Sequence, residues 1–439
     1  MDYRAAIEYL ESLADYEKEA NYIYPEGFRL DRMKKLARDL GNPQNYYPSV
    51  IIAGSKGKGS TAAILSSILR MENYRVGLYT SPHLLDVRER IQMNGLVVGE
   101  AHFADYVSRV EKVLSDSDWR KEKPTYFEVL TAVAFLHFRE MKVHVAVLEV
   151  GLGGLYDSTN ICEAKAVGIT PISLEHTDKL GKTIAKIAVQ KCGVIKGREY
   201  VVSAVQPKEA EPVILEAAAK NDAKLVWVGK DLRWAERSAD DRSQYFDLKT
   251  PFGNLFNLEL PLLGEHQIEN AAMAVGLAKS LEEKARLKVS SEAITQGLAV
   301  VHWPGRMEKV SDKPLIVLDG AHTRDSVARL IHGLRRHFHF GRIIAVMAAL
   351  DDKDIQGMIE ELAAETAVLF ATQTPHARSM KPRRIEEAAH GLVKDVRMTD
   401  SVESAIMEAA SCAGSTDLVL VTGSLYLVAM AKKITKEKF

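Results

Sequence analysis

The segment Gly54-Ser55-Lys56-Gly57-Lys58-Gly59-Ser60-Thr61 joins the apolar run Ser49-Val50-Ile51-Ile52-Ala53, of strand length, to a helical pattern from Thr61 to Met71. A second short apolar run follows at Val76-Gly77-Leu78-Tyr79-Thr80. Strand, glycine-rich loop, helix and strand in that order make a βαβ unit, which requires a parallel sheet. A loop so rich in glycine lets successive backbone N–H groups converge on an anion. The start of the helix adds its positive dipole end, and Lys58 adds a full charge. The hydroxyls of Ser60 and Thr61 are within sequence reach of a phosphate or of its metal. A flexible surface turn is the bland alternative, and the buried-type strand and helix on either side argue against it. The spacing departs from G-x-x-x-x-G-K-[ST], because glycine follows Lys58, so a generic nucleotide hydrolase is not implied.

The rest of the chain repeats the alternation. Helical patterns occupy about 101–115, 126–140, 184–195, 266–283 and 290–299, and strand-like runs occupy 143–150, 166–170, 201–204 and 225–228. The stretch 232–262, with Pro251-Phe252-Gly253-Asn254, reads as a short antiparallel excursion. Before the loop, Ile7, Leu10 and Leu13, then Phe28, Met33, Leu36 and Leu40, mark two amphipathic helices broken at Pro25-Glu26-Gly27. A fresh strand–helix alternation starts near Leu315, with strands at 315–318, 343–346, 368–371 and 418–421. The expected fold is α/β: a P-loop-type, mainly parallel sheet domain flanked by helices over residues 1–300, and a smaller Rossmann-like α/β domain over 301–439.

Composition narrows the partners. The 58 basic side chains nearly balance the 59 acidic ones, which argues against a nucleic-acid or membrane surface. Three widely spaced cysteines, Cys162, Cys192 and Cys412, fit neither a disulfide framework nor a cysteine-rich zinc site. With no signal-like start and no long apolar run, a cytoplasmic protein acting as a monomer on small molecules is expected.

Several polar residues stand where such sheets bind ligands. Glu149 closes the apolar run 143–150, and a carboxylate at the carboxyl end of a central strand faces the crevice. Magnesium bound to a nucleotide needs only one or two oxygens from protein, a role Glu149 fits. The alternative for Glu149 is a strand-end salt bridge. His176, after the strand ending at Thr170, could reach the same crevice or be an ordinary loop histidine. Ser81 is a third donor, or a turn cap beside Pro82.

Taken together, these strings resemble a known family. In order they are the glycine-rich loop, Tyr79-Thr80-Ser81-Pro82-His83-Leu84, Arg88-Glu89-Arg90-Ile91 and Tyr126-Phe127-Glu128-Val129-Leu130-Thr131. They continue with Glu149-Val150-Gly151-Leu152-Gly153-Gly154, Asp157-Ser158-Thr159-Asn160, Gln190-Lys191-Cys192-Gly193 and Gly264-Glu265-His266-Gln267-Ile268-Glu269-Asn270. Trp303-Pro304-Gly305-Arg306-Met307-Glu308, Leu318-Asp319-Gly320-Ala321-His322 and Thr422-Gly423-Ser424-Leu425-Tyr426 complete the set. The whole, over about residues 25–430, resembles the folylpolyglutamate synthase/dihydrofolate synthase branch of the Mur ligases. That resemblance implies an ATP-dependent ligase of folate metabolism, which activates a carboxylate as an acyl phosphate and joins it to L-glutamate.

By the same resemblance Gly54, Gly57, Lys58, Gly59, Ser60 and Thr61 hold the ATP phosphates, and Asn270, Arg306 and Asp319 are further ATP contacts. Ser81, Glu149 and His176 match ligands of Mg2+, with two ions expected. Lys191 matches a lysine that carries a carbamate. Arg90, His322 and Ser424 match positions near the glutamate or the transferred phosphoryl group, and Lys58, Lys191 and His322 are the expected catalytic groups. Taken by themselves, Lys191 reads as an exposed helix lysine, Asn270 and Ser424 as helix caps, and Arg306 as a surface ion pair. The chain departs from the family in having Ser55-Lys56 where Thr-Asn is usual, Arg88 where Asn is usual and Thr323 after His322 in place of Asn. If ATP contacts come from both domains, closure should shield the acyl phosphate from water. Dihydrofolate synthase activity stays open, as do another Mur-type amide ligase and a nucleotide-binding regulator. Only 53 residues precede Gly54, too few for the nucleotide-sugar domain of the peptidoglycan enzymes.

Overall fold

The computed structural model describes residues 1–17, 30–119 and 122–439. Phe28 and the expected break at Pro25-Glu26-Gly27 lie outside the described residues. The chain divides into two compact units. The first comprises Met1–Glu236, Phe246–Glu259 and His266–Val301; the second comprises Arg237–Tyr245, Leu260–Glu265 and His302–Phe439.

The first unit is built on eight strands: β1 (Ser49–Ala53), β2 (Val76–Tyr79), β3 (Ile91–Met93), β4 (Leu96–Val97), β5 (Val145–Glu149), β6 (Ala164–Ile169), β7 (Tyr200–Ser203) and β8 (Lys224–Trp227). They order as β4-β3-β2-β5-β1-β6-β7-β8. β1 runs parallel to both β5 and β6, with Ile52 opposite Glu149 and Ala53 opposite Ile169. Only the β3–β4 hairpin is antiparallel, against β2. β1 and β5 are buried along their whole length, which is why they read as unbroken apolar runs rather than as alternation. That hairpin was not expected from the sequence. Its strands have three and two residues, too short for a period-2 signal.

The helix after β1, Lys58–Met71, is buried from Ser60 to Leu69 and therefore has no polar face to display. Each fully buried Ile or Leu in it contributes about 1.5–3 kcal/mol. Helix Ser291–Ala299 packs on it at backbone distance: a Cβ on Gly297 would lie 2.4 Å from the Cα of Ile68, and Ser67 Oγ donates to the Gly297 carbonyl at 2.7 Å. Near the start of the chain, helices Tyr3–Glu11 and Leu30–Asp39 take the expected apolar faces, burying Leu10 and then Met33 and Leu36. The buried Arg32 donates to both oxygens of Glu128 at 3.0 and 2.9 Å and so pins the second helix to helix Tyr126–Glu140.

The excursion is a three-stranded sheet of β9 (Arg233–Ala239), β10 (Gln244–Thr250) and β11 (Gly253–Leu260). Connections this short join antiparallel neighbours. In the second unit, the buried His337 accepts from Gly264 N at 3.2 Å and bonds the Asp240 carbonyl at 2.9 Å, which fastens segments 237–245 and 260–265 to helix Arg324–His337.

That unit's own sheet contains β12 (Glu308–Asp312), β13 (Leu315–Leu318), β14 (Ile343–Met347), β15 (Thr366–Ala371), β16 (Asp395–Met398) and β17 (Leu418–Thr422), ordered β12-β13-β17-β14-β15-β16. All neighbours are parallel except the edge strand β12. Strands β12 and β16 were missed because both are edge strands with polar, part-exposed residues. No helix among the described residues is long and apolar enough to cross a membrane. Gly297→Ala should lower stability by about 1–3 kcal/mol, because a methyl group there must displace helix backbone. Urea unfolding checks this, and an unchanged midpoint would contradict the close packing.

Candidate active site

Four adjacent strands of the first unit, β2, β5, β1 and β6, end on the same edge of the sheet. Strands lie about 4.8 Å apart, so the residues just beyond their ends form one row. Ser81 follows β2, Glu149 ends β5, the glycine-rich loop follows β1, and Leu174-Glu175-His176 follows β6. This carboxyl edge is where open α/β sheets bind ligands.

The loop has little freedom. Gly54 has φ 138°, and a Cβ there would sit 1.9 Å from Thr170 Oγ1 and 2.7 Å from the Thr170 carbonyl oxygen. Gly57, at φ 85°, starts helix Lys58–Met71, and a Cβ on it would meet Asn270 Oδ1 at 2.4 Å. The amides of the first helical turn, at Lys58, Gly59 and Ser60, have no carbonyl partner within the helix and are the natural anion donors. Asn270 is no helix cap. It is buried within helix Glu265–Ala285, donates to Gln267 Oε1 at 3.0 Å and accepts from Thr61 Oγ1 at 3.4 Å, which places its amide beside the loop. Lys58 Nζ curls back to the carbonyls of Gly54, at 3.2 Å, and Ser55, at 3.4 Å.

Glu149 is 5% exposed, and its Oε2 accepts the Ser81 N–H at 3.0 Å. The structure thus brings two of the three expected metal ligands together. A carboxylate and an adjacent hydroxyl suit a hard cation that arrives on a nucleotide and keeps water and phosphate as its other ligands. Among the described residues no group of three or more His, Cys, Asp or Glu side chains could hold a metal alone. His176, in the left-handed region at φ 47°, precedes the short helix Thr177–Leu180, and its charge acts on Glu175.

Lys191 is not the exposed helix lysine that its local sequence suggests. It is 2% exposed on helix Ile184–Cys192, and its Nζ donates to the Gly54 carbonyl at 2.7 Å and to Glu175 Oε1 at 3.0 Å. Burial, set against Glu175 and reinforced by Lys58 and Lys56, brings its pKa down to about 8. Burial would raise Glu175, but Lys191, Lys58, Lys56 and His176 outweigh it and hold the carboxyl well below the usual range. Lys56 Nζ lies 3.6 Å from Glu175 Oε2. Glu175 was not singled out from sequence, since one acid in a polar loop carries no pattern. The clue was its place beside His176, with three lysines in need of a counter-ion.

The neighbouring motif is scaffolding. Asp157, fully buried, accepts from Gly151 N at 3.0 Å, Leu152 N at 3.1 Å and Thr159 Oγ1 at 2.6 Å, and burial raises its pKa. Asn160 Nδ2 donates to the Leu155 and Gly193 carbonyls, both at 3.0 Å, and Leu155 N bonds the Gln190 carbonyl at 2.8 Å. Segment 151–160 therefore clamps the helix that carries Lys191. Arg90 is 2% exposed and held by a bidentate pair with Glu17, at 2.8 and 2.6 Å, and by His83 Nδ1 at 2.9 Å.

In the second unit, segments 319–322 and 422–424 leave the carboxyl ends of adjacent β13 and β17 and are joined by Gly423 N to the Ala321 carbonyl at 2.9 Å. Asp319 accepts from Met307 N and Ala321 N, each at 2.8 Å. Burial raises its pKa while the charge of Arg306 lowers it. Arg306 therefore faces a buried carboxylate, not only surface. His322 Nδ1 bonds the Gly320 carbonyl at 2.8 Å. Ser424 caps helix Leu425–Lys438, accepting from Tyr426 N at 3.1 Å.

A strand–loop–helix phosphate site with a carboxylate on the next strand, followed by a second parallel α/β unit, is the layout of a Mur-type ligase. Two family profiles agree: the Mur ligase middle domain matches residues 52–278, and the Mur ligase glutamate ligase domain matches 305–425. The dihydrofolate synthase/folylpolyglutamate synthase of Bacillus subtilis is 33% identical over 93% of this chain and 95% of its own length. The folylpolyglutamate synthase of Lacticaseibacillus casei is 32% identical over 99% and 98%. Among solved structures, Mycobacterium tuberculosis folylpolyglutamate synthase complexed with ADP superposes with a TM-score of 0.91 at 29% identity, over 99% of both chains. E. coli FolC in complex with DHPP and ADP gives 0.88 at 29%, over 100% and 98%. The chain belongs to the folylpolyglutamate synthase/dihydrofolate synthase family.

The buried lysine has a pH signature. An unfolded lysine titrates near 10.5, so between about pH 8 and 10.5 the unfolded chain binds a proton that native Lys191 does not. Stability withheld by burying the ammonium below pH 8 is recovered as pH rises through that window. Wild type should therefore gain on Lys191→Met as pH rises from 8 to 10 in urea unfolding. A difference that stays flat with pH would contradict the depressed pKa.

Proposed function

We propose that this protein is an ATP-dependent ligase that adds L-glutamate to folates, and that it also joins dihydropteroate to L-glutamate. The observation that carries the reading is the convergence of the Lys58 and Lys191 side chains on the Gly54 carbonyl, at the start of a buried helix and beside Glu149 on the next strand. Relatives named for this activity, and a neighbour solved with ADP and DHPP, support it.

A carboxylate is a poor electrophile until one of its oxygens becomes a good leaving group. Transfer of the terminal phosphoryl of ATP to the folate carboxylate makes an acyl phosphate and releases ADP. The glutamate amine attacks the acyl carbon, the tetrahedral intermediate expels phosphate, and the amine proton goes to solvent or a nearby base. Little covalent work falls to the protein, so its residues act by position and charge.

In this reading Gly54, Gly57, Gly59 and the first-turn amides cradle phosphates. Lys58 and Ser60 contact the β- and γ-phosphates, Thr61 and Asn270 complete the nucleotide side of the first unit, and Arg306 and Asp319 serve the nucleotide from the second. Ser81, Glu149 and His176 would hold Mg2+, which when bound supplies positive charge against the phosphate oxygens. The neutral amine of Lys191 would add CO2 and lose a proton to become a carbamate. That step needs a neutral amine, which the depressed pKa of about 8 makes available near neutral pH. Arg90, His322 and Ser424 serve the glutamate or the phosphoryl group. In this reading residues 1–300, apart from segments 237–245 and 260–265 that are compact with the second unit, are the ATP-binding domain, and 301–439 the glutamate-ligase domain. A cytoplasmic setting matches three cysteines with no disulfide among them.

Incubation with ATP, L-glutamate and either tetrahydrofolate or dihydropteroate, read by mass spectrometry, tests the reading. A gain of one glutamyl residue per ADP formed is expected with both acceptors, and ATP turnover indifferent to both would overturn it. Lys58→Ala and Glu149→Ala should each lose at least about 100-fold in ligation while staying folded. Lys191→Arg, which keeps the charge but cannot form the carbamate, should fall with them, and near-normal ligation in any of the three would contradict its assigned role.

A further inference from the structure

The first half of the glycine-rich loop takes its place from a neighbouring stretch of chain. Ser55 N and Lys56 N donate to the Pro171 carbonyl at 2.9 and 3.3 Å. Ser55 Oγ donates to the Ser173 carbonyl at 3.2 Å and accepts from Ser173 N at 3.0 Å. Gly54 packs against Thr170 with no room for a Cβ. Segment 170–173 thus sets where the loop begins, and it leads directly into Glu175 and His176. The segment lies outside any helix or strand, so its own position needs a further source.

Gln206 supplies it. This residue follows β7, the strand beside β6, and is 8% exposed. Its Oε1 accepts from Ile172 N at 3.0 Å. Its Nε2 is shared among the Ile169 carbonyl at 3.1 Å, the Thr170 carbonyl at 3.2 Å and Ser203 Oγ at 3.2 Å. One side chain therefore fastens three residues at and beyond the end of β6 and ties them to β7. An amide is suited to this because one end donates while the other accepts. A carboxylate of the same size would set negative charge against two carbonyl oxygens. An apolar chain would leave buried backbone groups unpaired.

We propose that Gln206 is a positioning residue for the nucleotide: it braces segment 169–173 against the glycine-rich loop and keeps the Gly54 carbonyl and the Glu175-His176 pair in register with the phosphates. The assignment rests on the ligase reading of this site. β6 lies between β7 and β1, so strand spacing puts about 10 Å between the strand ends that carry Gln206 and the loop. Gln206 acts through the segment between them and does not touch the nucleotide. The contacts run in series, from Gln206 to segment 170–173, to Ser55 and to the loop. A reaction that depends on placing charge is sensitive to small displacements at the end of such a series.

Calorimetric binding of a non-hydrolysable ATP analogue with Mg2+ to the full chain tests this in Gln206→Met, Ser55→Ala and the double variant. Urea unfolding checks that each is folded. Gln206→Met keeps the length of glutamine and lacks both polar ends, and it should weaken the analogue about tenfold. Ser55→Ala should weaken it less. The double variant should bind no more weakly than Gln206→Met, because both substitutions break one series of contacts. In nucleotide-free Gln206→Met, hydrogen–deuterium exchange should quicken in peptides covering Ser55 and Ile172-Ser173 and stay as in wild type in helix Ser291–Ala299. Quickening throughout the chain would mark a general loss of stability and overturn the proposal. So would a folded Gln206→Met with wild-type affinity, or effects that multiply in the double variant. If Gln206→Met does not fold, Gln206→Asn decides, since its amide is one methylene too short to span the segment. Binding about threefold weaker supports the brace, and wild-type affinity overturns it. Wild type that binds no nucleotide would overturn the ligase reading and this proposal with it, whereas wild-type binding with unchanged variants removes only the role of Gln206.

Discussion

The Gly54 carbonyl, accepting from the ammonium groups of Lys191 at 2.7 Å and Lys58 at 3.2 Å, is the contact on which the candidate site depends. Removing an ammonium from water costs several kcal/mol, offset only by good partners. Here Glu175 and a backbone carbonyl supply them for Lys191. The carbonyl is available because Gly54 packs against Thr170 with no room for a Cβ, and because the strand before it is fixed between two parallel neighbours. The sheet, the glycine and the buried lysine form one arrangement.

Around that contact most of the polar residues serve position. Asp157 fastens the Gly151-Leu152 backbone, Asn160 ties it to the end of the Lys191 helix, and Asn270 fills the space that a side chain on Gly57 would need. In the second unit, Asp319 does the same for the backbone of Met307 and Ala321. Asp157, Asn160 and Asp319 bond backbone, and Asn270 bonds the Gln267 and Thr61 side chains; satisfied networks of this kind hold loops more rigidly than packing alone. A ligase that relies on placing charge, with no covalent step of its own, has most to gain from such rigid support.

Much of this was legible in the sequence. The loop, its flanking strand and helix, and the parallel sheet followed from glycine spacing and unbroken apolar runs. Glu149 followed from its place at a strand end. The β3–β4 hairpin and the edge strands β12 and β16 did not, because short or half-exposed strands leave no periodic trace. Lys191 read locally as a surface lysine: helix Ile184–Cys192 has one buried side, and nothing in nine residues says which side the lysine takes. Only the sheet order, which sets that helix against the loop after β1, shows it to be buried. Glu175 was out of reach for a related reason, since its meaning lies in three lysines that are distant in sequence or belong to another loop. The partners of Arg90, Glu17 and His83, were not legible either, because both are set by the fold.

The central claim is that nucleotide phosphates are held at the carboxyl edge formed by the Gly54–Thr61 loop and the segment around Glu175. Hydrogen–deuterium exchange of the full chain, with and without a non-hydrolysable ATP analogue and Mg2+, addresses it at the level of single peptides. The strongest slowing is expected on peptides spanning Gly54–Thr61 and Ser173–His176. Unchanged exchange in both, with protection appearing elsewhere, would contradict it.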